Sequence, residues 1–137
     1  MRFMIIRKAD QDTEDGALPT SELISAMGEY MEDMAKAGVL LGGDGLRPSA
    51  LGARVRLDGG SATVIDGPFT ESKELVAGYS LIQAKSIQEA IEWVKRWPAL
   101  DGGGNVRIEI RQVFEAEDFG DAYTSELQAR DERLRAR

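Results

Sequence analysis

The chain has 137 residues, of which 42% are hydrophobic and 30% are charged, which predicts one globular domain with its own core. The 24 acidic residues outnumber the 17 basic ones, and the net charge of −7 argues against nucleic acid and anionic membranes as partners. The absence of cysteine and histidine excludes disulfides, thiol nucleophiles and imidazole bases, so we expect no metal and no cofactor. No apolar run approaches the ~20 residues of a membrane span, and the opening residues are too short for a signal sequence. We therefore expect a cytoplasmic protein.

Hydrophobic patterning in the first third predicts a strand, a loop and a helix. Residues 2–7 form a continuous apolar run between charged ends, which predicts a central strand buried on both faces. Residues 8–17 are acidic and predict a solvated loop. Thr20 or Ser21 then begins a helix that ends at Gly38, with an apolar stripe at helical spacing. Gly28 lies inside this helix, where a glycine suggests close packing.

The remaining elements follow in chain order, each with a local signal. Residues 39–41 form a short apolar run, and the glycines of residues 42–45 predict a loop. Two strands around Asp58-Gly59-Gly60 predict a hairpin, and a strand follows over residues 75–84. Ser86 begins a second helix that Pro98 stops. A flexible loop at residues 101–104 precedes a last strand over residues 106–113, which alternates apolar and charged side chains.

This order of elements predicts an α+β fold, a ferredoxin-like sheet with both helices on one face, over residues 1–115. Residues 116–137 predict a C-terminal helical extension, because Phe119, Tyr123 and Leu127 are four residues apart. We expect this extension to dock on the body or on a partner chain. The other sheet face would mix charged and apolar side chains, which favours pairing with a second copy in a homodimer. Its expected members are Arg107, Glu109 and Arg111, with Arg54, Arg56, Met4 and Ile6.

Asp66 is the best candidate for a general base, since general acid or base chemistry falls here to Asp, Glu, Lys or Tyr. It ends a predicted strand. We expect its pKa to be set by nearby side chains, for which the candidates are Arg54, Lys73 and Tyr79. A structural interpretation competes with this one. Asp-Gly-Pro is common turn chemistry, in which the carboxylate accepts backbone amides and Phe69 would anchor the turn in the core.

Several cations are candidates for binding an anionic ligand. A guanidinium offers a planar fork of donors to a carboxylate or phosphate. Cross-strand pairing with Glu109, or pairing across a dimer, would consume part of such a strip. The glycine-rich run Gly42-Gly43-Asp44-Gly45 lacks the Lys-Ser/Thr of a phosphate-binding loop. The candidate ligand-binding residues are Arg54, Arg56, Lys73, Arg107 and Arg111.

The run Asp66-Gly67-Pro68-Phe69-Thr70-Glu71-Ser72-Lys73-Glu74 resembles the DGPF-motif branch of the YCII-related family. Further matches occur in the expected order over residues 1–115. They are Arg2-Phe3-Met4-Ile5-Ile6, Ala37-Gly38-Val39-Leu40, Gly45-Leu46-Arg47-Pro48, Gly78-Tyr79 and Ala90-Ile91-Glu92-Trp93.

The resemblance implies a ferredoxin-like subunit that forms a dimeric α+β barrel with a cleft between sheet and loops. YCII-type relatives are proposed to use a His and Asp pair, and one branch removes chloride from a chlorinated aromatic ring. That pair does not carry over, because this chain has no histidine. Members of the DGPF branch are often encoded beside sigma factors of the extracytoplasmic-function type, which suggests a regulatory connection.

Three functions follow as hypotheses. The first is a homodimeric protein that binds a small polar or anionic organic molecule near Asp66, Tyr79 and the arginines. The second is a cofactor-independent lyase or isomerase with Asp66 as base and Arg54 or Tyr79 holding the oxyanion. The third is a regulatory protein whose C-terminal segment binds a sigma factor.

Overall fold

The computed structural model describes residues 1–71 and 73–136, which form a four-stranded sheet, a separate hairpin and four α-helices. The strands are β1 (Arg2–Lys8), β2 (Leu40–Gly45), β3 (Ala53–Asp58), β4 (Ser61–Asp66), β5 (Val76–Gln83) and β6 (Ile108–Gln112). The helices are α1 (Gln11–Glu14), α2 (Ser21–Lys36), α3 (Ile87–Val94) and α4 (Ser125–Arg135), and 3-10 helices cover Ser49–Leu51, Asp101–Gly104 and Ala116–Ala122.

The main sheet has the order β2-β5-β1-β6 with every neighbouring pair antiparallel. Helix α2 connects β1 to β2, and α3 connects β5 to β6. The strands that each helix connects are parallel to one another but separated by one antiparallel strand. This arrangement confirms the predicted ferredoxin-like α+β class.

The core lies on one side of the sheet. Phe3, Ile5 and Ile82 point from β1 and β5 towards Tyr30 and Met34 of α2, and Ala90 of α3 joins them. The prediction that residues 2–7 are buried on both faces is wrong, because Met4 between Phe3 and Ile5 is 36% exposed. We call the side of the sheet opposite α2 and α3 the open face.

The predicted caps of α2 and α3 are confirmed. The Thr20 hydroxyl accepts the amide of Leu23 at 3.1 Å, and the Ser86 hydroxyl accepts that of Glu89. The close packing expected at Gly28 is absent, since a Cβ there would meet no atom of the described chain within 4 Å.

Two predicted loops are regular structure. Residues 8–17 contain α1, which Asp10 begins by accepting the Thr13 amide at 2.8 Å. Residues 42–45 belong to edge strand β2, where a Cβ on Gly43 would lie 2.6 Å from the Tyr79 carbonyl oxygen. Glycine is needed at Gly43 for close approach of two strands rather than for a loop.

The predicted hairpin exists, with Gly59 and Gly60 at positive φ in its turn, but it does not extend the main sheet. β3 and β4 pair only with each other, as a two-stranded sheet. Placing Arg54 and Arg56 on the same sheet face as Arg107 and Arg111 was therefore wrong. The fourth strand of the main sheet is β2 instead.

The C-terminal extension consists of the 3-10 segment Ala116–Ala122, which is kinked at Gly120 with φ 65°, followed by α4. The ring of Phe119 stacks on Phe114 at 4.8 Å between centroids and contacts Tyr123 at 5.2 Å. No residue of α4 is buried. The last residue of the predicted extension, Arg137, lies outside the described residues. Among the residues that the structure describes, no helix is long and apolar enough to cross a membrane.

Candidate functional site

The loop after β4, residues 66–71, is the motif loop, and it packs against the turn Ser49–Leu51. The amide of Gly67 donates to the carbonyl of Gly52 at 3.0 Å, and the amide of Phe69 donates to the Ser49 hydroxyl at 3.0 Å. A Cβ on Gly67 would lie 1.7 Å from the Ser49 carbonyl oxygen. Position 67 therefore tolerates no side chain, and the Asp-Gly-Pro-Phe run is held by backbone contact.

Glu14 fastens the same turn to helix α1. Its carboxylate accepts the Ser49 amide at 3.0 Å and the Ser49 hydroxyl at 2.6 Å, and both residues are half-buried. Two donors from one residue fix the carboxylate in place. The motif loop is thus connected to α1 through a single serine.

A buried ion pair sets the position of α1. Arg7 of β1 donates to both carboxylate oxygens of Asp101, at 2.7 and 3.0 Å, and also to Asp10 at 3.3 Å. Trp97 adds its indole N–H to Asp101 at 2.9 Å. Burial opposes ionisation of Asp101, but the hydrogen bonds from Arg7 and Trp97 outweigh it and lower the pKa of this carboxyl. Residues 101–104, predicted as a flexible loop, are instead held on the core side of the sheet through the buried side chain of Asp101.

Arg54 is the one predicted site residue whose side chain contacts the motif loop in the described structure. Its guanidinium lies 3.9 Å from the centroid of the Phe69 ring and 3.3 Å from the Glu71 carboxylate. Two contacts lower the pKa of the Glu71 carboxyl. The larger effect is the hydrogen bond from the backbone amide of Glu71 itself, and the next is the hydrogen bond from Arg54. Phe69 is half-buried under this guanidinium rather than anchored in the core as predicted.

Asp66 stands at the end of β4, opposite Ala53 of β3. It is exposed, and its carboxylate accepts no hydrogen bond from residues 1–71 or 73–136, so the predicted capping of the turn by this side chain is absent there. Lys73 is also exposed, in the turn that leads to β5, and the neighbouring Ser72 of the motif lies outside the described residues. The catalytic role of Asp66 and the binding role of Lys73 stay predictions.

Tyr79 lies on the open face, beside an acid that the sequence reasoning missed. In the sheet register Tyr79 stands between Asp44 of β2 and Ile6 of β1, and its hydroxyl donates to Asp44 at 3.4 Å. This distance is long for an O–H···O bond, which leaves both groups available to a third partner. The next row contains Leu81 and Met4.

Arg111 is the predicted cation that shares the open face with Tyr79. It stands opposite Met4, and it pairs at 3.3 Å with Glu109 of its own strand, rather than across strands as predicted. Lys8 approaches the same Glu109 at 3.8 Å. Arg107 is exposed just before β6, and Arg56 pairs with Asp58 on the hairpin at 2.9 Å. The five predicted cations thus do not converge within one chain.

A groove of about 940 Å³ separates the end of β6 from the C-terminal extension. Its lining combines the Phe119 ring with Arg2, Arg111 and Glu115, and Arg2 and Glu115 form an ion pair at 2.9 Å. Among the described residues, no three acidic side chains come together in a way that could hold a metal ion.

Glu14, Ser49 and Asp44 had no local signal in the sequence. Glu14 lies in an acidic run that predicts solvent exposure, and Asp44 lies between glycines. An alternation of open-face residues along β2 could have identified Asp44, but the bulge between Leu40 and Gly42 interrupts that alternation.

Three comparisons with known proteins found similar sequences or structures. An uncharacterized protein of Rhizobium meliloti (strain 1021) is 38% identical over 50 residues, which cover 36% of this chain and 40% of that protein. The solved complex of 5-chloro-2-hydroxyhydroquinone dehydrochlorinase from Burkholderia phenoliruptrix AC1100 with 2,5-dihydroxybenzoquinone is 19% identical, with a TM-score of 0.46 over 88% of this chain and 100% of that one. The model of the YCII-related domain matches residues 1–117. The chain therefore belongs to the YCII-related family.

Proposed function

We propose that this YCII-related protein is a homodimer that binds a small polar or anionic organic molecule between its open face and the motif loop. The observation that carries the proposal is the composition of the open face. Met4, in a central strand, is 36% exposed, and Ile6, Tyr79 and Leu81 are only half-buried. An apolar centre with polar groups beside it suits both a two-fold contact and the floor of a ligand site.

The polar groups indicate the chemistry of the ligand. The Tyr79 hydroxyl can donate to a ligand oxygen, and Asp44 can accept from a ligand hydroxyl or amine. The guanidinium of Arg111 presents a planar pair of donors to a carboxylate or phosphate. Further positive charge comes from the hairpin, from the turn before β5 and from the residue before β6, which contribute Arg54 and Arg56, Lys73, and Arg107. In a dimer, cations of both chains would be available to one ligand.

A conservative substitution tests this site. Tyr79→Phe removes one hydroxyl from the open face, and Tyr123→Phe removes the same group from the C-terminal extension as a matched control. With a panel of small carboxylates in titration calorimetry, we expect Tyr79→Phe to weaken binding on the order of tenfold or more. The control should bind like the unmodified protein. Equal affinities for all three proteins, or no binding of any carboxylate, would contradict the proposal.

Catalysis is a second candidate function, favoured by one observation. Asp66 is exposed, its carboxylate accepts no hydrogen bond from the described residues, and it stands opposite Ala53, the neighbour of Arg54 on β3. As a lyase or isomerase, the protein would use Asp66 to remove a proton, with Arg54 or Tyr79 stabilising the oxyanion that forms. Asp66→Asn should then abolish turnover and leave ligand affinity within a few-fold.

A regulatory interaction is a third candidate, and the C-terminal extension favours it. Phe114 and Phe119 are 65% and 50% exposed, which is unusual for aromatic side chains with no docking role. A sigma factor of the extracytoplasmic-function type would bind this surface. Deleting residues 119–137 should leave the dimer intact and abolish capture of the sigma factor, and unchanged capture would rule out this role.

A further inference from the structure

The β3–β4 hairpin forms a two-stranded sheet of its own, separate from the main sheet, and its two faces differ in composition. The register pairs Val55 with Val64 and Leu57 with Ala62, so these four side chains share one face. The same face ends at Ala53 and Asp66, and the opposite face carries the pairs Arg54 with Ile65, Arg56 with Thr63 and Asp58 with Ser61. Every residue of both strands is exposed. We call the face of Val55, Leu57, Ala62 and Val64 the apolar stripe.

The apolar stripe is costly to leave in water. Val55, Leu57 and Val64 are 61%, 76% and 63% exposed, although valine and leucine are among the most frequently buried residue types. An isolated two-stranded hairpin is marginally stable at best, and it normally needs a hydrophobic face packed against another element. The stripe therefore has the composition of a buried surface.

The total surface points to the same conclusion. The chain exposes 9690 Å². A compact monomer of its mass is expected to expose about 7,000 Å². The surplus of about 2,600 Å² exceeds the roughly 800 Å² that each partner contributes to a standard protein interface. An extended hairpin and extension of this kind are typical of a subunit that is compact only within an oligomer.

We propose that the apolar stripe is a dimerisation arm that packs on a second copy of this chain. The surplus surface is large enough for a stable dimer, and the stripe itself is uncharged, so that Asp66 at its end is the one charge on this face of the hairpin that adds to the repulsion between two chains of net charge −7. The same negative charge disfavours an anionic lipid surface as the occupant. The inference rests on the homodimer of the proposed function, and it adds a contact outside the open face.

A pair of charge substitutions tests the arm while keeping the hairpin. Val55→Glu with Val64→Lys places opposite charges directly across the ladder, where such a pair supports the strands. Ser61→Lys with Thr63→Glu makes a matched, charge-neutral change on the polar face, where the introduced lysine and glutamate stand opposite Asp58 and Arg56. By analytical ultracentrifugation, we expect the first variant to weaken the dimer on the order of tenfold or more, and the second to change it less than about threefold. Circular dichroism checks that both variants fold.

A second readout uses the absence of cysteine from the chain. The thiol of Leu57→Cys on the apolar stripe should react slowly with maleimide in the dimer and quickly on dilution to monomers. The thiol of Thr63→Cys on the polar face should react quickly in both states.

The outcomes separate the arm from the ligand site. An intact dimer for the Val55 and Val64 variant, together with fast labelling at position 57, would overturn the arm and leave the open-face site standing. A loss of carboxylate binding in Tyr79→Phe tests only that site. A monomeric unmodified protein would overturn both.

Discussion

The hydroxyl of Ser49 lies 2.6 Å from the carboxylate of Glu14 and accepts the amide of Phe69 at 3.0 Å. One side chain thereby joins the short helix α1 to the motif loop. On the far side of α1, Asp10 contacts Arg7, which is bound to Asp101. A continuous series of polar contacts connects the buried side of the sheet to the Asp-Gly-Pro-Phe run.

The Glu14–Ser49 contact should stabilise the fold measurably. A double-mutant cycle of Glu14→Ala and Ser49→Ala should give a coupling free energy of about 1–2 kcal/mol in urea unfolding, because the hydrogen bonds involve a carboxylate in a half-buried site. A cycle on Gln11 and Asp15, which form an exposed hydrogen bond in the same helix, should give less than about 0.5 kcal/mol. Equal coupling in the two cycles would contradict the structural role of Ser49.

Gly67 and Gly28 should respond in opposite directions to alanine. Gly67→Ala places a methyl group against the Ser49 carbonyl, and we expect it to lower the free energy of unfolding by about 3 kcal/mol. Gly28→Ala adds a methyl group in open space on α2 and should raise it by about 0.5–1 kcal/mol. Urea unfolding of the two variants measures both changes. A stable Gly67→Ala protein would show that the motif loop is not held as described.

The Arg7–Asp101 pair should make stability depend on pH in the acidic range. The pKa of Asp101 is lower in the folded protein than its ordinary value of 3.8, so the unfolded chain binds the proton more readily. The contribution of the pair is therefore complete above that ordinary value and is lost as the pH falls below it. Asp101→Asn should cost about 3 kcal/mol at neutral pH, since it leaves Arg7 buried without its principal counterion.

Comparing the unfolding free energies of the unmodified protein and of Asp101→Asn separates the effect of the Asp101 carboxyl from that of the other acids. Unfolding free energies of the unmodified protein and of Asp101→Asn, measured from neutral pH down to the acid limit of the fold, should converge at low pH. A difference that stays constant over the whole range would assign the effect to packing rather than to ionisation.

Asp66→Asn should leave stability nearly unchanged. The side chain is exposed and accepts no hydrogen bond from the described residues, so the change in the free energy of unfolding should be within about 0.5 kcal/mol. Thermal unfolding compares the variant with the unmodified protein. A strongly destabilised variant would mean that the carboxylate serves the turn, and the catalytic hypothesis would lose its support.

Much of the fold could be predicted because its signals are local. Thr20 and Ser86 stand at the starts of helices whose apolar stripes are clear, and the Gly59-Gly60 turn identifies the hairpin. The glycines within residues 42–45 predicted a loop, but the segment is a strand, because the ladder that β2 forms with β5 outweighs their loop propensity. Whether a hairpin joins the main sheet depends on long-range pairing that no local pattern encodes.

The site was less predictable because its contacts connect distant segments. Arg7 and Asp101 are 94 residues apart, and Glu14 and Ser49 are 35 apart. None of these positions stands out by periodicity or motif, since single polar residues in acidic or turn-rich runs normally face solvent. The motif residues that did stand out, Gly67 and Phe69, are explained by packing against Ser49 and Arg54.

Native mass spectrometry of the purified protein measures the homodimer and its bound small molecule in a single experiment. We predict a mass of twice the 15.0 kDa chain, with a small organic adduct retained on the dimer or acquired from a carboxylate panel. A bare monomer of 15.0 kDa at every protein concentration, with no adduct from the panel, would contradict it.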